Sequence, residues 1–277
     1  MKQSQPIVRV SRPSQGSRLP SITEAWAFRH MLWQLVRRDF KTRYMQSVLG
    51  ILWIVITPIV TMIVYTFVFK RIADVPSYDI PYPVFSFAAI VPWGFFTRGV
   101  SLGSKSVIAN QQLIKDVYVP RILIPFSTQF TGIMDMLINF GVFLILMFIF
   151  GIVPPAQSIF VIFFLVLMFM LTVGISFFLS ALQVRFRDIG QLVGFAIQIM
   201  FFLTPVAYPS GIVQEPFRMI YGLNPMVGIL DGWRWAMLGT DSLYLPHTVA
   251  SVVITLVVFV VGILYYSHAE KTFVDWI

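Results

Sequence analysis

Apolar residues in this chain come in long unbroken runs, not in the short alternating or one-sided patterns that face a soluble core. A hydrocarbon layer about 30 Å thick needs roughly 20 apolar residues in a helix. Six runs approach that length: Val48 to Phe69, Val84 to Gly103, Ile122 to Phe150, Ile159 to Leu182, Leu192 to Tyr208 and Val249 to Tyr266. The first, fourth and sixth carry no charge, the second contains Arg98, the third contains Asp135, and the fifth is near the short limit. A lone span must satisfy its backbone internally, and the runs lack the alternation of a barrel strand. The pattern therefore predicts an all-α integral membrane protein with six transmembrane helices.

Two flanking stretches show a different pattern. Residues 1–20 are polar and proline-broken, which predicts a flexible cytoplasmic tail, and residues 21–47 read as an amphipathic interface helix. Ser21 and Glu24 stand at capping-box spacing. Ala25, Phe28, Leu32, Leu35 and Val36 fall on one side, with Arg29, Gln34, Arg37, Arg38 and Lys41 opposite. Trp26, Trp33 and Tyr44 suit the headgroup level, and the basic face, Arg43 included, suits anionic lipid. Such a helix is either a plain surface element or a gate that senses lipid. Residues 48–277 form the six-span domain, in which 209–248 is an external segment too apolar for a loop. There Asn224 and Pro225 are the favoured cap and first-turn residues of a helix too short to cross. One or two re-entrant or interfacial helices are expected, with Trp233 and Trp235 anchored at the outer surface.

Composition agrees: 57% of residues are hydrophobic, 12% are charged and the mean hydropathy is +0.81. Twenty Lys and Arg face twelve Asp and Glu, but the basic residues lie between apolar runs, which argues for membrane lipid and against nucleic acid. With a cytoplasmic amino terminus, fifteen basic residues fall inside and four outside, so both termini are expected in the cytoplasm. No cleavable signal follows the amino terminus. The absence of cysteine removes thiolate metal sites, and His30, His247 and His268 match no zinc spacing. No nucleophile elbow, paired carboxylates or dinucleotide fingerprint is present. Gly103-Ser104-Lys105-Ser106 imitates the end of a phosphate loop, yet the glycine positions fall on Arg98 and Ser104. No catalytic residue, metal or cofactor is expected in this chain.

Several segments together resemble a family. Arg38-Asp39-Phe40-Lys41-Thr42-Arg43-Tyr44 runs into Val48-Leu49-Gly50-Ile51-Leu52-Trp53 and then Pro58. Lys115-Asp116-Val117-Tyr118-Val119-Pro120-Arg121, Phe186-Arg187-Asp188-Ile189, Thr204-Pro205 and Asn224-Pro225-Met226 follow in order. The set is similar to the type-2 ABC permeases that export O-antigen, capsule and teichoic acid, O-antigen permeases most of all. The resemblance implies a homodimer in the bacterial inner (plasma) membrane, bound to two copies of a cytoplasmic ABC ATPase that carries the ATP and Mg. It further implies export of an undecaprenyl-linked glycan through a channel lined partly by the first and fifth spans. A type-2 permease for a small lipid or drug is the nearest alternative; an ion-coupled secondary transporter fits less well, because no inverted repeat is visible.

Charges at membrane depth must face a partner or water, so Arg98 and Asp135 are expected to pair, with Arg98 a second candidate for meeting pyrophosphate. Sugar faces stack on aromatic rings, which makes Tyr65, Phe201, Phe202 and Tyr208 candidates for a channel wall. Lys115, Asp116, Arg121, Arg187 and Asp188 sit in short connections and, on the family likeness, are expected to couple the spans to the ATPase. Their plain alternatives are positive-inside bias and, for Asp188, a helix cap.

Overall fold

The structure is a computed structural model and describes residues 28–44, 48–116, 120–240 and 243–273. The 1–20 tail, Ser21, Glu24, Ala25, Trp26 and the Val117, Tyr118 and Val119 stretch lie outside the described residues.

Among the described residues every regular element is helical. Helix α1 (Arg29–Tyr44) precedes a rod made of a 3-10 turn at Gly50–Leu52, α2 (Trp53–Tyr65) and a π-helical stretch at Thr66–Ile72. Then come α3 (Tyr82–Ala109), the short α4 (Gln111–Asp116), α5 (Leu123–Ile149), α6 (Val161–Arg185) and α7 (Ile189–Phe202). The short α8 (Phe217–Tyr221), α9 (Pro225–Leu238) and α10 (Leu245–Ala269) complete the chain. Leu35 and Val36 bury the expected face of α1 against α5, while Arg37, Arg38 and Lys41 stay exposed; Tyr44, expected at the headgroup level, is buried as well.

Among the described residues five rods are long and apolar enough to cross a membrane: Gly50–Ile72, Tyr82–Ala109, Leu123–Ile149, Ala156–Arg185 and Leu245–Thr272. The expected fifth span does not reach that length. Its helix, α7, ends at Phe202 after 14 residues, roughly 21 Å. The cause is local: Pro205 has no N–H to donate, and its ring would meet the Phe201 carbonyl of a continued helix. The chain instead turns through residues 203–209 towards α8 and α9, so a broken path stands where a straight span was expected.

The least apolar span is the most enclosed. The most apolar stretch of α3 has a mean hydropathy of 1.2 and is 78% buried, whereas that of the α2 rod has 2.3 and is 11% buried. Lipid accepts only apolar side chains, but a helix surrounded by protein can carry hydroxyls and glycines. Gly99 and Gly103 of α3 let α6 come so close that a Cβ on Gly99 would sit 2.4 Å from Thr172 and one on Gly103 2.6 Å from Ser176. In the same seam Gln129 donates to the Gly99 carbonyl at 3.2 Å and to the Ser176 hydroxyl at 3.1 Å, joining α3, α5 and α6. On the other side of α6, Gly174 faces Gly262 of α10, where an added Cβ on Gly262 would lie 2.1 Å from the Gly174 carbonyl oxygen.

Candidate functional site

A half-open cleft of about 680 Å³ lies between α2, α3, α5 and α7. Its α2 wall carries a stripe at i, i+4 spacing, Trp53, Thr57, Thr61 and Tyr65, with Ile54 and Pro58 beside it. The α3 wall presents Gly94, Thr97, Arg98 and Ser101, again at helical spacing, with Trp93 beside them. Rings and hydroxyls thus share the groove with aliphatic residues such as Ile54, Pro58, Ile90 and Met136, and α2 and α7 beside it are little covered; Val193 is the buried residue of α7.

One end of the cleft is charged. Arg98 pairs with Oδ2 of Asp135, and Arg43 reaches the same oxygen at 3.2 Å. Oδ1 of Asp135 accepts the Tyr44 hydroxyl at 2.8 Å, and that hydroxyl accepts from Arg98 at 3.1 Å. Asp135 lies about 18 Å along α5 from Leu123. The end of α1 therefore reaches deep between α3 and α5, farther than a helix resting in the interface would. Arg38 adds a second tie, donating to Oδ1 of Asn110 at 2.6 Å beyond α3.

A second buried cation lies outside the cleft lining and answers backbone carbonyls, with the Asp231 carboxylate one turn away on the same helix adding its charge. Arg234 of α9 is 2% exposed and donates to the carbonyls of Pro205 (2.5 Å), Val206 (2.6 Å), Tyr208 (3.4 Å) and Phe85 (3.4 Å), with its guanidinium 3.8 Å over the Phe85 ring. Tyr82 donates to Ala207 at 2.6 Å, Asn224 to Leu203 at 2.8 Å, and Tyr208 to Phe202 at 2.6 Å. The Thr204 carbonyl takes the Val206 N–H at 2.7 Å. Every carbonyl from Phe202 to Tyr208 is thereby satisfied, which is the condition for unwound backbone at membrane depth. Tyr221 of α8 donates to the Tyr208 hydroxyl at 3.1 Å. Burial pushes the Tyr221 phenol well above its usual value, and the Tyr208 contact adds to the shift, so it stays neutral.

Of the residues marked from the sequence, Tyr65 and Arg98 line the cleft. Phe201 stands behind the wall, 5.5 Å from the Tyr65 ring and 6.1 Å from Trp93. Phe202 is exposed at the end of α7, and Tyr208 belongs to the carbonyl cage. Trp53 and Trp93 were missed, although the i, i+4 run from Trp53 through Thr57 and Thr61 to Tyr65 was visible in the first span. At the basic end Lys115, Asp116, Arg187 and Asp188 are exposed, and the Asp188 side chain makes no capping bond. Arg121 is committed elsewhere: its guanidinium donates to the Glu270 carbonyl, and its own carbonyl accepts from Tyr266 at 2.8 Å. Asn224 caps α9 through Met226 at 3.0 Å, with Pro225 in the first turn. Trp233 is 1% exposed and packs 5.6 Å from Phe140, so it is a core residue and no surface anchor; Trp235 is half-buried beside Phe160. His247 is also buried, its Nε2 3.0 Å from the Arg218 carbonyl. Among the described residues no group of His, Cys, Asp and Glu could hold a metal ion.

Residues 30–238 match the family described as ABC-2 type transporter, a range that takes in the whole cleft. An O-antigen export system permease protein of Klebsiella pneumoniae is 32% identical over 202 residues, covering 72% of this chain and 77% of that protein. Another, from Myxococcus xanthus, is 28% identical over 217 residues, 77% and 82% of the two chains. A polysialic acid transport protein of Escherichia coli is 23% identical over 248 residues, 86% and 92%.

Proposed function

Because this chain belongs to the ABC-2 type transporter family, we propose that it is the permease subunit of an ABC exporter that moves a lipid-linked polysaccharide of O-antigen type across a bacterial inner membrane. The observation that carries the reading is the 32% identity to an O-antigen export permease over 77% of that protein's length. The cleft supports it. A glycan that slides needs weak, repeated contacts, and the Trp53, Tyr65 and Trp93 rings with the Thr57, Thr61, Thr97 and Ser101 hydroxyls supply stacking and hydrogen bonds.

A second copy of the chain completes the channel in this reading. The α2 rod and α7 are the least covered of the apolar helices around the cleft, and a groove on their edge becomes half of a closed path when a symmetric partner faces it. The ATPase is a separate cytoplasmic subunit that carries ATP and Mg, since this chain has no phosphate loop. In this reading it docks on the basic end, where α4 and the Arg187–Asp188 corner are exposed, and the positive-inside bias has both termini in the cytoplasm. Closure of the ATPase shifts α7 against α6 through that corner, because packed interfaces move between discrete arrangements.

The test is transport in vesicles holding this chain and its ATPase, with a polyprenyl-linked glycan supplied on the ATPase side. ATP should carry the glycan to the other face. A folded, ATP-hydrolysing complex that moves none overturns the proposal.

A further inference from the structure

Two guanidinium groups converge on one oxygen of Asp135 at the wall of the cleft, so two fixed cations stand against one carboxylate. The carboxylate is sealed, with 6% of its side chain exposed, whereas 26% of the Arg43 and 38% of the Arg98 side chain remain open. A guanidinium has five donors, and the bonds to Asp135 and Tyr44 leave most of them unused. Surplus positive charge and free forked donors facing a cleft suit an anion with more oxygens than a carboxylate has. We propose that Arg43 and Arg98 bind the diphosphate of the lipid-linked substrate, and that Asp135 is an internal competitor which the diphosphate displaces. The proposal rests on the transport reading for the identity of the lipid, though not for the anion site itself.

The geometry favours a diphosphate over an ordinary membrane phosphodiester. A phosphodiester offers one phosphoryl group and neutralises only the surplus charge, whereas a diphosphate offers two groups that can fork onto both guanidiniums. Displacement also has a mechanical consequence. Arg43 and Tyr44 end α1, and Asp135 is what ties both to α5. An anion that takes over the guanidiniums removes the charged half of that tie, so headgroup binding and loosening of α1 become one event.

Inorganic pyrophosphate is the probe, titrated onto the full-length protein in neutral-lipid nanodiscs at fixed ionic strength. The readouts are the dissociation constant and the pyrophosphate-induced rise in Tm. Arg98→Gln should weaken binding about tenfold, the worth of one charge-assisted contact. Asp135→Asn removes the competitor and should tighten binding about tenfold. Arg98→Lys keeps the charge but loses the fork, should fall between wild type and Arg98→Gln, and serves if Asp135→Asn does not fold. Equal constants for wild type, Arg98→Gln and Arg98→Lys overturn the site, as does weaker binding by folded Asp135→Asn. Competition separates the anion sources: a polyprenyl diphosphate should displace pyrophosphate, and displacement by equal phosphatidylglycerol overturns the diphosphate assignment. Glycan movement is scored apart from this. Movement with no pyrophosphate binding removes the inference and leaves the transport reading; binding with no movement does the reverse.

Discussion

Arg98 and Arg234 place the same guanidinium inside one helical bundle, and their surroundings differ in kind. Arg98 faces a carboxylate shared with Arg43 and keeps 38% of its side chain open to the cleft. Arg234 is sealed, meets four backbone carbonyls and lies over the Phe85 ring. A carboxylate is one side chain among several groups that can answer a cation, so the Arg98 arrangement can be exchanged by moving a helix or admitting an anion. Carbonyls of an unwound turn have no alternative donor in a dry interior, so the Arg234 arrangement stands or falls with the fold. The arginine in the cleft is thus built to change and the one at the unwound turn to stay.

The sharpest way to break this contrast is Arg234→Leu. It strips donors from the Pro205, Val206 and Tyr208 carbonyls, each costing about 1–3 kcal/mol when buried and unanswered. Thermal unfolding in detergent should show a collapse of folded protein, and a wild-type Tm would show that the cage does not hold the turn. Next is Asp135→Asn, which leaves two guanidiniums facing each other and should cost about 3–5 kcal/mol. The double variant Asp135→Asn with Arg98→Gln should lose clearly less than the sum of the singles, and additive losses would mean the two do not act as a pair. Asn224→Ala removes both the cap of α9 and the donor to Leu203, for about 1–2 kcal/mol by chemical denaturation. Asp188→Asn, in the exposed corner, should change stability by less than about 0.5 kcal/mol. Its effect should appear as transport per ATP, down at least about tenfold (about 1.4 kcal/mol) if the corner couples the two subunits; unchanged transport per ATP would leave the corner as scaffold.

The Asp135 site was partly legible, because a charge inside an apolar run advertises its own need for a partner. Arg98 and Asp135 could be paired from the sequence on that ground alone. The share taken by Arg43 and Tyr44 could not, because an amphipathic pattern states which face of α1 is apolar but not how far its end inserts. Arg234 gave no signal at all. In the sequence it counts as one more basic residue in an external segment, and nothing separates an arginine that reaches water from one that caps carbonyls. Trp233 failed for the same reason: a ring suited to the interface is equally suited to a core.

What the sequence determined by itself was solvent and approximate length: apolar runs that become helices in a bilayer, read as six spans where five described helices are long enough to cross, and an N-terminal helix with one basic and one aliphatic face. These are local properties, set by the free energy of moving each residue from water to hydrocarbon and by the rise of a helix. Only the tertiary structure decided that α3 is the enclosed helix, that the turn Pro205 starts in the fifth run has its carbonyls answered by distant donors, and that Arg98 and Arg234 have different partners. Those outcomes depend on which polar groups meet across the bundle. The carbonyls of residues 202–208 find Tyr82, Asn224 and Arg234 only once α3, α7 and α9 have packed, and no local pattern encodes a donor from so far along the chain.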